Sequence, residues 1–329
     1  MSAEYDRPAD PNAAEFSGES PGRIAKRLFH ATRPKFFPAS GLPVIAGTAW
    51  GVFAVGQMDA IAFFLALLAT VCVHAGCNVL NDVGDEVVGT DRVNDQRIYP
   101  YTGGSRFIQT GILDSNTMAR LGVSLLGVAS VCGVILLLTK GPLILLFGLA
   151  GIALGVLYSL GPARLCALGL GEFAVAVAFG VLPVSGAAWL QGAVIDADLL
   201  LFSMPVSAWV AAILLINEVP DIDADGATGK RTLPVRLGLT RTAWLYLSIQ
   251  LAAVTVIAVL AARGTLPMLA PALPAGLLVM AWSASRAIQK GIADREGMTR
   301  AIEATLAIHT LGALWLTACV LFAFRWPAA

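Results

Sequence analysis

The chain has 329 residues, of which 57% are hydrophobic and only 13% charged. Soluble domains carry about 25% charged residues, so the composition excludes an ordinary water-soluble fold and indicates a membrane protein. The formal net charge of zero argues neither for nor against an acidic partner; no nucleic-acid partner is expected, and the placement of the charges is what informs.

Residues 1–22 are polar and acidic (Glu4, Asp6, Asp10, Glu15, Glu19), lack a hydrophobic signal core, and read as a disordered tail. From residue 23 to 329 the chain reads as a single transmembrane domain. Arg23–Lys35 is basic and partly amphipathic, with Ile24, Leu28 and Phe29 opposed to Lys26 and Arg27, suited to the membrane surface. Nine apolar segments follow, near 38–57, 60–81, 117–139, 142–160, 168–190, 198–219, 241–262, 266–284 and 303–325. Each is close to the roughly 20 residues that cross a bilayer as a helix. The fifth contains Glu172, and Pro271 and Pro274 punctuate the eighth. The fold class is therefore all-α and polytopic.

Lys and Arg fix the orientation. With nine spans, nineteen of the 22 fall on the side of the N-terminus, leaving Lys140, Arg263 and Arg325 for the other. The positive-inside tendency then sets the N-terminus in the cytosol and the C-terminus outside, in the cell (inner) membrane. The longest connections, 82–116, 220–240 and 285–302, are all on the cytosolic side. Function belongs there. The cysteines Cys72, Cys77, Cys132, Cys166 and Cys319 form no Cys-x-x-Cys pair, so they read as small buried hydrophobes rather than a zinc or disulfide framework.

Two polar clusters stand at the ends of apolar runs. Asn217, Asp221 and Asp225 follow Val206–Ile216 at spacings of four, which on a continuous α-helix stacks them along one side. Asn81 and Asp85 repeat the spacing after Ile61–Cys77, with Gly89 at the third position and Asp91 beyond. A solvated helix end would account for one such motif; two copies at equivalent ends call for a shared role. So many carboxylates near a low-dielectric wall need counter-charge. Oxygen ligands of this kind suit Mg²⁺, which keeps positions for substrate phosphate oxygens. Lys230 and Arg231 follow the second motif, and both suit phosphate.

The pair of motifs resembles the UbiA superfamily of intramembrane prenyltransferases, whose signature is Asn-x-x-x-Asp-x-x-x-Asp in two copies. The second copy matches in full; in the first, Gly89-x-Asp91 resembles the branch of dihydroxynaphthoate prenyltransferases of menaquinone synthesis. Arg33-Pro-Lys-Phe-Phe-Pro-Ala-Ser, Thr102-Gly-Gly-Ser-Arg106, Gly169-Leu-Gly-Glu172 and Gly229-Lys-Arg-Thr-Leu-Pro-Val-Arg-Leu-Gly238 are similar to that branch too. The resemblance covers about residues 31–240. It implies about nine transmembrane helices around a central cavity, agreeing with the count above. It implies one Mg²⁺ on Asn81, Asp85 and Asp91 and another on Asn217, Asp221 and Asp225, with Asp85 and Asp221 catalytic. Lys35, Arg106, Lys230 and Arg231 are the candidates to clamp a prenyl diphosphate. Arg106 leads, because Gly103-Gly104-Ser105 lets backbone approach a phosphate closely.

Glu172, an ionisable group early in a span, is a candidate cavity-lining and catalytic residue. Tyr158 is a candidate to face an allylic cation, with interfacial anchoring as the plain alternative. Asn78, and His74 before it, either line the cavity or bond helix to helix.

The reaction so implied is Mg²⁺-dependent transfer of a polyprenyl group to an aromatic acceptor, with a prenyl diphosphate, that acceptor and membrane lipid as partners. For dihydroxynaphthoate the acceptor's carboxylate also leaves as CO₂, giving demethylmenaquinone. A 4-hydroxybenzoate or other aromatic or lipid prenyltransferase is the nearest alternative. A cation-coupled transporter is the alternative of another class, but the acids cluster at one face and the repeat is not inverted.

Overall fold

In the computed structural model, residues 10–89, 94–159 and 164–325 are described, and among them the secondary structure is helical with no strand. A short helix α1 (Pro21–Ala31) leads into α2 (Pro38–Val55), α3 (Ala60–Val88), α4 (Ser115–Lys140) and α5 (Leu143–Ser159). Then come α6 (Gly171–Leu190) and α7 (Ala197–Asn217), the short α8 (Ile222–Ala227), and α9 (Leu233–Ala262), α10 (Ala272–Lys290) and α11 (Arg295–Arg325). Helix is what the membrane demands, because every backbone donor must be satisfied within its own segment.

Among the described residues, seven segments are long and apolar enough to cross a bilayer. One of these, Ala272–Ala323, runs α10 and α11 together, and Leu143–Tyr158 is a shorter apolar helix. The protein is a multi-pass membrane protein.

Neighbouring helices close a ring. α3 packs on α4, α4 on α5, α5 on α6, α6 on α7, α7 on α9, α9 on α10, α10 on α11, and α11 on α2, which returns to α3. α7 is the most enclosed, with Leu199, Phe202, Val206, Ala212, Leu215 and Ile216 fully buried. The outward faces of α3, α4 and α5 are apolar and exposed, with Ile61, Phe64, Val131, Leu146 and Leu149 among them. Such a surface is tolerable only against lipid.

Where helix boundaries depart from hydropathy, the cause is local. α9 starts at Leu233 instead of 241 and bends at Gly238, whose φ of 70° falls in the left-handed region. α11 starts at Arg295 instead of 303, because its first two turns are polar and project beyond the apolar stretch. α6 widens into a π-turn over Val177–Val181. Pro183 lies just after it and has no N–H to continue the ladder.

The sequence suggested a disordered tail to residue 22. Of that stretch, residues 13–16 form one 3₁₀ turn and α1 begins at Pro21 behind Ser20, which accepts from the Arg23 N–H.

Candidate active site

The last turns of α3 carry the first motif. The helix runs 29 residues, more than a bilayer needs, so its end stands clear of the apolar stretch. Asn81 donates from Nδ2 to Asp85 Oδ2 at 2.8 Å, the i,i+4 pairing expected of one helical face. Gly89 closes the helix with φ 82°, its N–H bonded to the Asp85 carbonyl at 2.9 Å. That is the reason for glycine at the third motif position: the chain turns there in a left-handed conformation. Asp91 lies outside the described residues. Asp82 was not singled out from sequence, yet it is 2% exposed. Its Oδ2 accepts the Ser105 N–H at 2.9 Å, and its buried Oδ1 has no hydrogen-bond partner.

The second motif does not lie on one continuous helix. α7 ends at Asn217, and Glu218–Val219–Pro220 turns the chain before α8. Pro220 lacks the N–H that would bond back to Ile216 and disfavours helix at Val219. Asp221 becomes the residue before α8, and the Asp225 N–H bonds its carbonyl at 2.8 Å, so helical spacing survives between these two only. The buried Oδ1 of Asn217 has no hydrogen-bond partner.

Lys230 joins the motifs. Its Nζ is 3.5 Å from Asp85 Oδ1 and 3.9 Å from Asp225 Oδ1. The 94–106 loop closes the same space: Asn94 Nδ2 donates to Asp221 Oδ1 at 2.8 Å, and Gln96 Nε2 to Asp223 Oδ2 at 2.9 Å. A cavity of about 240 Å³ lies beside this bridge, lined by Asn94, Asp95, Gln96, Asp223, Ala224 and Ala227. Burial pushes Asp225 up to about 7, with Lys230 pulling it back and Asp221 and Asp85 adding to the rise. Burial likewise raises Asp221, against the pull of Asn94, Thr102, Arg33 and Lys230. For Lys230 burial works to lower the pKa, but Asp85 and Asp225 outweigh it and hold the ammonium above its usual value.

Two arginines flank the site, and they are the non-glycine residues with positive φ among those described: Arg33 at 59° and Arg106 at 64°. Side chains avoid this region unless their surroundings hold them there. Arg33 Nη2 donates to the Tyr101 carbonyl at 2.8 Å, and its guanidinium lies 4.9 Å from the Phe36 ring. Its charge acts on both Asp82 and Asp221. Sequence reasoning chose Lys35 from the same Arg-Pro-Lys. Lys35 is exposed instead, with its Nζ 4.9 Å over the Tyr101 ring. Arg106 is 8% exposed.

Glu172 and Glu218 are 6% and 8% exposed, and each has a buried oxygen without a hydrogen-bond partner. Burial, then Glu172, pushes Glu218 well above the usual carboxylate range. Tyr158 is their neighbour: the α-carbon of Gly171 faces its ring, and a β-carbon there would lie 3.5 Å from Cε2. Asn78 donates to the Thr32 carbonyl at 3.4 Å and so ties α3 to the end of α1, the helix-to-helix bond that was one of its two readings. The Arg231 side chain is exposed, while its N–H bonds the Ala167 carbonyl at 3.1 Å. Among the described residues no three His, Cys, Asp or Glu side chains gather closely enough to hold a metal ion.

The sequence pattern of the UbiA prenyltransferase family matches residues 42–296. The 1,4-dihydroxy-2-naphthoate octaprenyltransferase of Haemophilus influenzae is 32% identical over 221 residues, 65% of this chain and 70% of that protein. In fold, the chain is similar to a UbiA homolog from Aeropyrum pernix K1, with TM-score 0.65 over 86% of this chain and 97% of that one at 16% identity. It is similar also to a UbiA homolog from Archaeoglobus fulgidus bound to DMAPP and Mg²⁺, with TM-score 0.59 over 90% of this chain and 99% of that one at 15% identity. The family pattern covers well over half of the chain and includes both acidic motifs and the loops that join them, so this protein belongs to the UbiA prenyltransferase family and is a prenyltransferase.

Proposed function

We propose that the protein transfers a polyprenyl group from an allylic diphosphate to 1,4-dihydroxy-2-naphthoate, with Mg²⁺, at the cytosolic mouth of its helical bundle. The observation that carries the reading is Lys230, whose ammonium lies between the carboxylates of two motifs 136 residues apart. A site that already gathers acids around a cation is suited to a divalent ion and the diphosphate it would carry. The Haemophilus influenzae relative supports the naphthoate acceptor. The Archaeoglobus fulgidus homolog bound to DMAPP and Mg²⁺ supports the metal and the donor.

The donors are of the type the metal takes, although among the described residues no three carboxylates already converge on one point. Asp85, Asp221 and Asp225 offer carboxylate oxygens, and Asn217 offers a buried Oδ1 that nothing else occupies. Asn81 orients Asp85, and Asp91 is the remaining candidate of the first motif. When bound, Mg²⁺ supplies charge neutralisation for the departing diphosphate.

The rest falls to side chains of this chain. Lys230 and Arg106 bind phosphate oxygens where negative charge grows as the allylic C–O bond breaks. Arg33 adds positive charge between the motifs. Glu172 offers a buried oxygen able to accept a hydroxyl proton of the acceptor, and the Tyr158 ring offers a π-face to the allylic cation. The enclosing helices exclude the water that would quench that cation. Lys35 and Arg231, both exposed, are assigned to anionic lipid rather than to the diphosphate. The basic residues give the N-terminus-in, C-terminus-out orientation in the cell membrane.

Purified protein in detergent with labelled geranylgeranyl diphosphate, Mg²⁺ and either dihydroxynaphthoate or 4-hydroxybenzoate tests the reading. A prenylated naphthoquinol that disappears with EDTA is expected. Product from hydroxybenzoate alone would overturn the acceptor assignment.

A further inference from the structure

Residues 10–20 are seated on the chain that carries Arg97, Arg106 and Phe107. Asn12 opens the 3₁₀ turn Ala13–Phe16, its Oδ1 accepting from the Ala14 N–H at 3.0 Å. Phe16 is 5% exposed. Its ring meets Phe107 edge-on at 4.9 Å, in a cluster with Ala31, Val79 and Met118. From α1, Arg23 and Arg27 donate to the carbonyls of Glu15 and Phe16 at 2.9 and 3.2 Å. The segment is thereby held down at its centre.

At its head, Asp10 meets two arginines. Asp10 Oδ1 accepts from Arg97 Nη2 at 2.6 Å and from Arg97 Nε at 3.2 Å, and lies 3.6 Å from Arg106 Nε. The two arginine side chains are 6% and 9% exposed, that of Asp10 38%. Arg97 is tied to the second motif: its Nη1 donates to the Asn94 carbonyl at 2.6 Å, and the Asn94 side chain holds Asp221. Arg106 is tied to the first, since the neighbouring Ser105 N–H holds Asp82. The guanidinium pair therefore stands on the loop between both acidic motifs.

We propose that Arg97 and Arg106 form an anion subsite for a phosphate group of the prenyl diphosphate, and that the Asp10 carboxylate fills it until substrate displaces the N-terminal segment. This rests on the functional reading above. Carboxylate and phosphate are matched to the same planar donors, so the two compete. Asp10 is the exposed partner and the one able to leave. Phe16 keeps it close by, which makes it a competitor of high effective concentration.

The full-length protein and its Asp10→Asn variant are compared in two measurements: inorganic pyrophosphate binding by calorimetry, and KM and kcat with labelled geranylgeranyl diphosphate. Removing the carboxylate's charge is expected to lower both the pyrophosphate Kd and the KM by about three- to tenfold, the scale of a partly exposed charge-assisted pair, with kcat held. Asp10→Glu is expected to restore the original values. Transfer that proceeds with the Kd and KM of Asp10→Asn unchanged or raised overturns the proposal and leaves the functional reading standing. Tighter pyrophosphate binding by Asp10→Asn, without prenyl transfer by either protein, supports the subsite and overturns the reading of function.

Discussion

Lys230 stands 3.5 Å from Asp85 and 3.9 Å from Asp225, so its loss would leave a half-buried and a buried carboxylate without their shared cation and, on the proposed reading, would remove a phosphate ligand. Lys230→Gln is expected to raise KM for the prenyl diphosphate by about tenfold or more, the scale of a hydrogen bond to a charged group. An unchanged KM would remove Lys230 from the diphosphate site. Asp225 sets a pH dependence whose sign can be worked out. In the folded, metal-free chain its pKa is raised from 3.8 to about 7, so the folded state binds the proton more tightly than the unfolded one. Stability then falls as pH rises between those values, and Asp221 and Glu218, also raised, act in the same direction. The metal-free protein is expected to melt lower at pH 7.5 than at pH 5. Mg²⁺ should raise the melting temperature at pH 7.5 more than at pH 5, and Asp225→Asn should flatten the slope. A melting temperature that rises with pH in EDTA would contradict this. At this scale the sequence was partly legible. The acids and Lys230 stand out by type and spacing. Arg33 does not, because its left-handed backbone and its bond to the Tyr101 carbonyl are set by distant contacts that no spacing reveals.

The helices were legible as apolar runs, and their ends less so. Pro220 was in view, yet the regular spacing of Asn217, Asp221 and Asp225 suggested a continuous helix where the chain turns. The polar start of α11 was hidden because hydropathy reports lipid contact and not helicity. What holds neighbouring elements together is close approach by small residues, as membrane helices require. A β-carbon on Gly47 of α2 would lie 2.2 Å from the Val184 carbonyl oxygen of α6, and that neighbour is backbone. Gly47→Ala is expected to destabilise the protein by about 1–3 kcal/mol, the usual scale of overpacking, read as a lower melting temperature in detergent. Gly148→Ala on α5, where nothing lies within 4 Å, is the matched control and should not be destabilised. Equal behaviour of the two would contradict the packing described.

At the scale of the molecule, the fold class followed from composition and the repeat from two copies of Asn-x-x-x-Asp. The way the copies meet was not in the sequence. It depends on α3 overrunning its apolar stretch, on the break after α7, and on the 94–106 loop bonding to both motifs. The central claim is that the two motifs build one metal-dependent diphosphate site. The most direct measurement is calorimetric binding of geranylgeranyl diphosphate, with and without Mg²⁺, to the original protein, Asp85→Asn, Asp221→Asn and the double variant. One shared site predicts that each single change abolishes most of the Mg²⁺-dependent affinity, by about a hundredfold, and that the double variant is hardly worse than either. Two independent losses that add in the double variant, or Mg²⁺-dependent binding that survives both changes, would contradict it.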